Sequence, residues 1–273
     1  MRRFIAISSA FLLSGCFLQG NLGELRELNP QAEDFGSSLA SEYLSYSNSE
    51  SEQGRLLSSE HFAIKGVKAT KGKPVDPDAV SASLADPAKQ ELTIAREVLV
   101  TLLSDDMKEE APQKAAHAQL LFDCWQYQTV KGSAFAPCAD EFKSTIGDLQ
   151  EIAEDFPDVS HKSHVVIFTG DDLTLGTSQL RLIDKLAKQL RGTKNYTLSL
   201  EGYTGSDEDA RELAREQLGV VKTAFIDRSI REIRINARTK DDKAVYLSDD
   251  VSAVTKNTVK ITIRIFVLKG RHS

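Results

Sequence analysis

The sequence predicts an α+β chain: a small all-α amino-terminal domain followed by a carboxy-terminal two-layer sandwich of order βαβαββ. Three observations carry that reading. Apolar residues recur at helical spacing up to Pro157, strand-like alternation and helical stripes interchange after it, and glycine, proline or short polar clusters punctuate each change. The boundaries read as a leader over 1–15, a polar tether over 16–35, a helical domain over 36–157 and the sandwich over 160–273.

In the helical part, EYLSY and HFAIKGVKA read as short helical segments, broken by the polar run SNSESEQG and by Gly72 and Pro74. LTIAREVLVTLL places Leu92, Ile94, Ala95, Val98, Leu99 and Leu102 on one broad helical face. Pro112 suits the first turn of the next helix, where Ala116, Leu120, Leu121 and Cys124 recur at helical spacing. Trp125, the single tryptophan, reads as core beside them. ADEFKSTIGDLQEIAEDF gives a last helix, ending before Pro157.

SHVVIFTGDD then reads as a strand bounded by turn signals. Ser178 introduces a helix with Leu180, Ile183, Leu186, Ala187 and Leu190 on one stripe, and Gly192 stops it. Tyr196, Leu198 and Leu200 alternate with Thr197, Ser199 and Glu201, the period of a half-buried strand. A second helix spans about Asp209 to Ile226, with Ala210, Leu213, Ala214, Val221, Ala224 and Phe225 inward. Two more strands follow, at Ile233 to Ala237 and Val259 to Val267, joined through an acidic segment. The helices can cover one face of a mixed sheet, leaving the other strand positions polar.

The 273 residues, 41% hydrophobic and 27% charged, suffice for a sizeable core and two domains. A net charge of -6 becomes about -8 once Arg2 and Arg3 leave with the leader, which argues against nucleic acid as a partner. The leader itself has Arg2 and Arg3, an apolar run from Phe4 to Leu13, and the small residues Ser14 and Gly15 before Cys16. That run is shorter than the roughly 20 residues of a membrane span. Cys124 and Cys138 remain as a second pair of thiols. In an exported compartment they can bridge, closing a short loop worth about 3 kcal/mol, or stay as two buried free thiols. No CxxC pair or His/Cys cluster accompanies them, so neither a metal nor a cofactor is expected.

Leu13-Ser14-Gly15-Cys16 resembles the lipobox of bacterial lipoproteins. The resemblance implies cleavage before Cys16 and lipid on its sulfur and new amino group, with acyl chains holding the protein at a membrane. Phe17 stands where an inner-membrane retention signal would have aspartate. The implied location is therefore the periplasmic face of the outer membrane.

Phe168, LIDKLAKQL, SLEGYTG and LAREQLGVVKTAFI, in that order over roughly residues 164 to 268, resemble the OmpA-like carboxy-terminal domain family, including peptidoglycan-associated lipoproteins. The resemblance implies a grip on the zwitterionic diaminopimelate side chain of peptidoglycan. A carboxylate would hold its ammonium and an arginine fork its carboxylate. The matching segment here is Gly202, Tyr203, Thr204 and Gly205, with Gly205 at the family's aspartate. Glu216 and Gln217 stand at the two arginine positions, and KNT replaces an Asn-Arg-Arg signature before the last strand. Asp207, Asp209, Arg211 and Arg215 carry substitute charges close by, or form only a solvated helix start. Gly202 reads as what the fold needs for a tight turn.

These readings imply either a lipoprotein that tethers the outer membrane to peptidoglycan, or a scaffold or subunit among envelope proteins whose domain has lost that ligand. An enzyme is disfavoured. His161 and His164, near Asp171 and Asp172, are the sole acid/base or metal candidates, and no phosphate loop or nucleophile elbow is found. Asp241, Asp242, Asp249 and Asp250 match no calcium-loop spacing and read as a solvated face.

Overall fold

The computed structural model describes residues 20–132, 137–153, 155–156, 159–169, 171–193, 196–204, 208–241 and 258–268, without side chains at 159–161, 169, 203–204, 240–241 and 258–268. Contacts divide the chain into two compact units, Met1–Leu84 with Leu103–Thr145, and Ala85–Leu102 with Ile146–Ser273.

The first unit is helical: α1 (Gly20–Leu28), α2 (Phe35–Glu52), α3 (Leu56–Thr70), and, after the α4 segment described below, α5 (Asp105–Glu110), α6 (Pro112–Val130) and the first half of α7 (Pro137–Ala153). Helix α1 lies inside the stretch read as a tether, and its Leu22 and Leu25 are buried. Asp34 caps α2 reciprocally: its carboxylate accepts from the Ser37 amide at 2.8 Å, and Ser37 Oγ accepts from the Asp34 amide at 3.0 Å. The helix then runs through SNSESE, where a break was expected. Ser47 and Glu50 in that run are buried against neighbours, and Gly54, with φ of 75°, makes the turn instead. At Gly66 of α3 a Cβ would stand 2.4 Å from Leu25 Cδ2 and 3.2 Å from Tyr43 Cβ. The absent side chain lets α1 and α2 pack closely on α3.

Pro112 sits at the start of α6 as expected, its missing N–H being one that a first turn leaves unbonded anyway. Helix α6 is buried nearly all round: Phe122, Cys124 and Trp125 are interior, and Trp125 packs on Phe142 with ring centroids 5.7 Å apart. Cys124 and Cys138 form a disulfide, so the bridged alternative holds and the free thiols do not.

The second unit contains α4 (Asp86–Leu102), the second half of α7, β1 (Val159–Thr169), α8 (Thr177–Arg191), β2 (Tyr196–Thr204), α9 (Glu208–Ile226), β3 (Ile235–Asp241) and β4 (Thr258–Leu268). The order after Pro157 is βαβαββ, and the four strands form one mixed sheet of order β1-β4-β2-β3. β4 pairs antiparallel with β1 and β2, while β3 runs parallel to β2. Val166, Phe168, Leu198 and Leu200 meet Ile183, Leu186, Leu190, Leu218, Val221 and Phe225 of α8 and α9 in one apolar core. Burial of such side chains, at about 1.5–3 kcal/mol each, is what the alternating strands and helical stripes encode.

Two expectations change in this unit. Helix α4 buries Leu92, Ala95, Val98, Leu99 and Leu102 as read, but it groups with the sheet. Its Glu97 accepts from Arg234 Nη2 at 3.0 Å, and Gln90 from Arg231 at 3.0 Å. The reverse face of β2 is also not solvated: Thr197, Ser199 and Glu201 are buried like their apolar neighbours. The reason is α7, whose Ile146, Leu149 and Ala153 are buried. Asn236 Nδ2 donates to the Gly147 carbonyl at 3.2 Å, and Arg238 reaches Asp148 at 3.1 Å and also pairs with Glu151. A Cβ on Gly147 would lie 2.8 Å from Asn236 Oδ1 and 2.7 Å from Arg238 Nη2. Helix α7 therefore covers the reverse face of the sheet at its β3 edge.

Candidate functional site

The residues singled out in the second unit lie where β2 ends and α9 begins. Gly202 is inside β2, opposite Thr239 of β3 and Ile261 of β4, so it does not make a tight turn. A Cβ there would be 3.6 Å from the Ala214 carbonyl of α9, an ordinary van der Waals contact. Tyr203 and Thr204 continue the strand, in register with Lys240 and Asp241. Gly205 and Asp207 lie outside the described residues, as do Cys16 and the acidic positions 242–250.

Gln217, at the expected arginine position, is fully buried, and Nε2 donates to the Asp172 carbonyl at 3.0 Å. It ties α9 to the loop after β1. Asp172 in turn accepts at Oδ1 from the Thr174 hydroxyl at 2.7 Å and the Thr174 amide at 2.8 Å, which together hold its carboxyl below the usual range. Gln179 completes the loop, accepting from the Gly176 amide at 2.5 Å and donating to the Ile167 carbonyl at 2.6 Å. Position 217 thus serves a loop anchor.

The substitute cations turn toward acids of their own helix. Arg215 lies 2.7 Å from Glu212 and 3.6 Å from Glu208, and Arg211 lies 3.8 Å from Glu208. Such exposed pairs are worth about 0–1 kcal/mol, so a ligand carboxylate could compete for Arg215 at small cost. His161 and His164 are three residues apart on β1, an odd spacing that puts the two positions on opposite faces of the pleat. Among the described residues no group of three or more His, Cys, Asp or Glu side chains is arranged to hold a metal ion.

Sequence reasoning missed a buried charged cluster in the helical unit. Asp123 of α6 is fully buried; Oδ2 accepts from Lys65 Nζ at 2.6 Å and from the Tyr43 hydroxyl at 2.5 Å, and Oδ1 from the Asp78 amide at 2.7 Å. Lys65 also reaches Asp78 Oδ1 at 2.7 Å, and His61 Nε2 lies 3.4 Å from Asp78 Oδ2. Burial pushes the Asp123 carboxyl up to about 6 despite its donors, whereas His61 and Lys65 hold Asp78 below the usual range against its own burial. Gln119 adds a bond to the Val75 carbonyl at 2.8 Å. The extended stretch after α3 is held down by this cluster. Its members are spread over 80 residues without a motif, so no sequence signal announces it.

Neither a protein-family model nor a curated protein matches this chain. Among solved structures it is similar to the OmpA-like domain of FopA1 from Francisella tularensis subsp. tularensis SCHU S4, at 15% identity and a TM-score of 0.31, covering 40% of this chain and 75% of that one. It is also similar to the periplasmic domain of Helicobacter pylori MotB (residues 78-256), at 13% identity and a TM-score of 0.28, covering 37% of this chain and 76% of that one.

Proposed function

We propose that this protein is a non-catalytic lipoprotein of the bacterial envelope, anchored through lipid on Cys16 at the periplasmic face of the outer membrane, whose sheet domain contacts peptidoglycan. The carrying observation is the union of Leu13-Ser14-Gly15-Cys16, after a short apolar run, with a βαβαββ unit further along the same chain. Residues 1–15 are the leader in this reading, and no nucleic acid or cofactor is involved. Labelling cells with a palmitate analogue tests the anchor: label is expected on the wild type and lost in Cys16→Ser. Co-sedimentation of the soluble chain with sacculi tests the contact, beside Gly205→Asp, Gln217→Arg and the double variant. Because Gln217 is enclosed, circular dichroism must accompany the arginine variant.

A second reading, a scaffold or subunit among envelope proteins with the ligand lost, draws support from one observation. Gln217 is committed to the Asp172 carbonyl and presents no charge, and Arg211 and Arg215 lie beside acids of α9. Absence of sacculus binding by the wild type, with protein adducts after crosslinking in cells, would favour it.

A further inference from the structure

Between the α2–α3 turn and the end of α6 the helical unit has a groove of about 880 Å³, a size ordinary for small-molecule sites. Leu56, Leu57, Tyr46, Tyr127 and Pro137 supply its walls. Its polar groups are unevenly spent. Glu50, the one acidic residue lining it, is neutralised: Arg55 donates to both oxygens, at 2.8 and 2.5 Å. Lys131, a second cation on the rim, lies over the Tyr127 ring at 5.5 Å from its centroid.

The first turn of α3 opens here and lacks a cap. Its N-cap residue, Arg55, makes no side-chain cap bond, and the turn holds no acidic residue. The amides of Leu56, Leu57 and Ser58 meet no acceptor among the described residues. Ser58 is only 4% exposed, yet its hydroxyl is unpartnered; it lies near the Glu50 carboxyl and Tyr127 hydroxyl without meeting either at hydrogen-bond geometry. Gln128 Oε1, also lining the groove, is a second buried atom without a partner. A buried hydroxyl left unbonded costs about 1–3 kcal/mol, and an uncapped helix start attracts an anion.

We propose that this groove binds an apolar carboxylic acid. The carboxylate takes the place of the missing cap, accepting from the Ser58 hydroxyl and the first-turn amides between Arg55 and Lys131. The hydrocarbon body lies against Leu57 and Pro137. Gln128 Oε1 accepts from an N–H next to the acid, the group that the last residue of a peptide carries and a fatty acid lacks. This site is independent of the peptidoglycan reading.

The test is calorimetric titration of the purified full chain with N-acetyl-leucine, with hexanoate and with N-acetyl-leucinamide. Saturable binding of an acid, at a Kd of about 1 mM or tighter, and none of the amide, is expected. Preference for N-acetyl-leucine, abolished in Gln128→Leu, identifies a peptide end as the source; equal affinity for hexanoate identifies a free acid and overturns the Gln128 contact. Ser58→Ala should weaken binding about tenfold, and Leu57→Ala about fivefold. Leu57 is 68% exposed, so its truncation leaves the fold intact. Binding of the amide as well as the acids, unchanged affinity in both folded variants, or no heat up to about 10 mM overturns the proposal.

Discussion

Asp123 and Gln217 are both fully buried polar side chains, one in each unit, and each pins a connecting segment to a helix. They do it with different chemistry. Asp123 accepts three hydrogen bonds and draws Lys65 into the interior beside a half-buried Asp78, whereas Gln217 donates from a neutral amide to the Asp172 carbonyl. A buried charge must be answered by other charges, and breaking the set strands the survivors. A buried amide strands only what it touched.

The largest effect should therefore come from Asp123→Ala, which leaves the Lys65 ammonium in the core with Asp78 alone and the Tyr43 hydroxyl without an acceptor. A loss of about 3–5 kcal/mol is expected in urea unfolding followed by Trp125 fluorescence. Asp123→Asn sharpens the point through pH. A carboxyl raised to about 6 stabilises the fold while protonated, so its contribution is present below about pH 4 and lost as pH rises through 6. Asp78, held low, works oppositely, its contribution being present above the usual carboxylate range and lost as pH falls. The asparagine variant should lose the first dependence and keep the second. Reducing the Cys124–Cys138 bridge comes next, at about 3 kcal/mol, read as a lower Tm with dithiothreitol present. Gln217→Ala should cost about 1–2 kcal/mol and expose the Asp172–Thr174 loop to faster proteolysis. If it costs as much as Asp123→Ala, the contrast between charged and neutral anchors fails.

The smallest predicted effect belongs to His117, which lies 3.0 Å from Glu42 and 3.1 Å from Glu141. The bond to Glu42 leads in raising its pKa, so the stabilisation is full below the ordinary histidine value and fades as pH rises through the elevated one. His117→Gln should remove the fall in stability as pH rises past the ordinary histidine value, an effect of about 0.5 kcal/mol given the partial exposure of the pair.

The sheet unit was the more legible of the two because its core is written in apolar periods. Val166, Leu198, Leu200, Ile183 and Leu186 repeat at two or at three to four residues, and those periods are the packing. Thr197, Ser199 and Glu201 misled because polarity reads as solvent, while the cover over them comes from α7, which precedes the sheet in the chain. In the helical unit SNSESE looked like a break, yet serine is small enough to sit between packed helices, as Ser47 does. Lys65, Asp78 and Asp123 find each other only in three dimensions. No spacing rule joins them.

The glycine in α7 has one more consequence, for mutational tolerance. Glycine in a helix interior costs about 1 kcal/mol against alanine, so substitution at position 147 would ordinarily be welcome. Here the added methyl would push aside the ends of the Asn236 and Arg238 side chains, and the gain in helix propensity is outweighed by the bonds they make to the Gly147 carbonyl, Asp148 and Glu151. Position 147 should score as intolerant in a scan of the native chain. Shortening its two neighbours on β3, as in Asn236→Ser with Arg238→Ala, should reverse that score, making the three positions an epistatic set whose effects do not add.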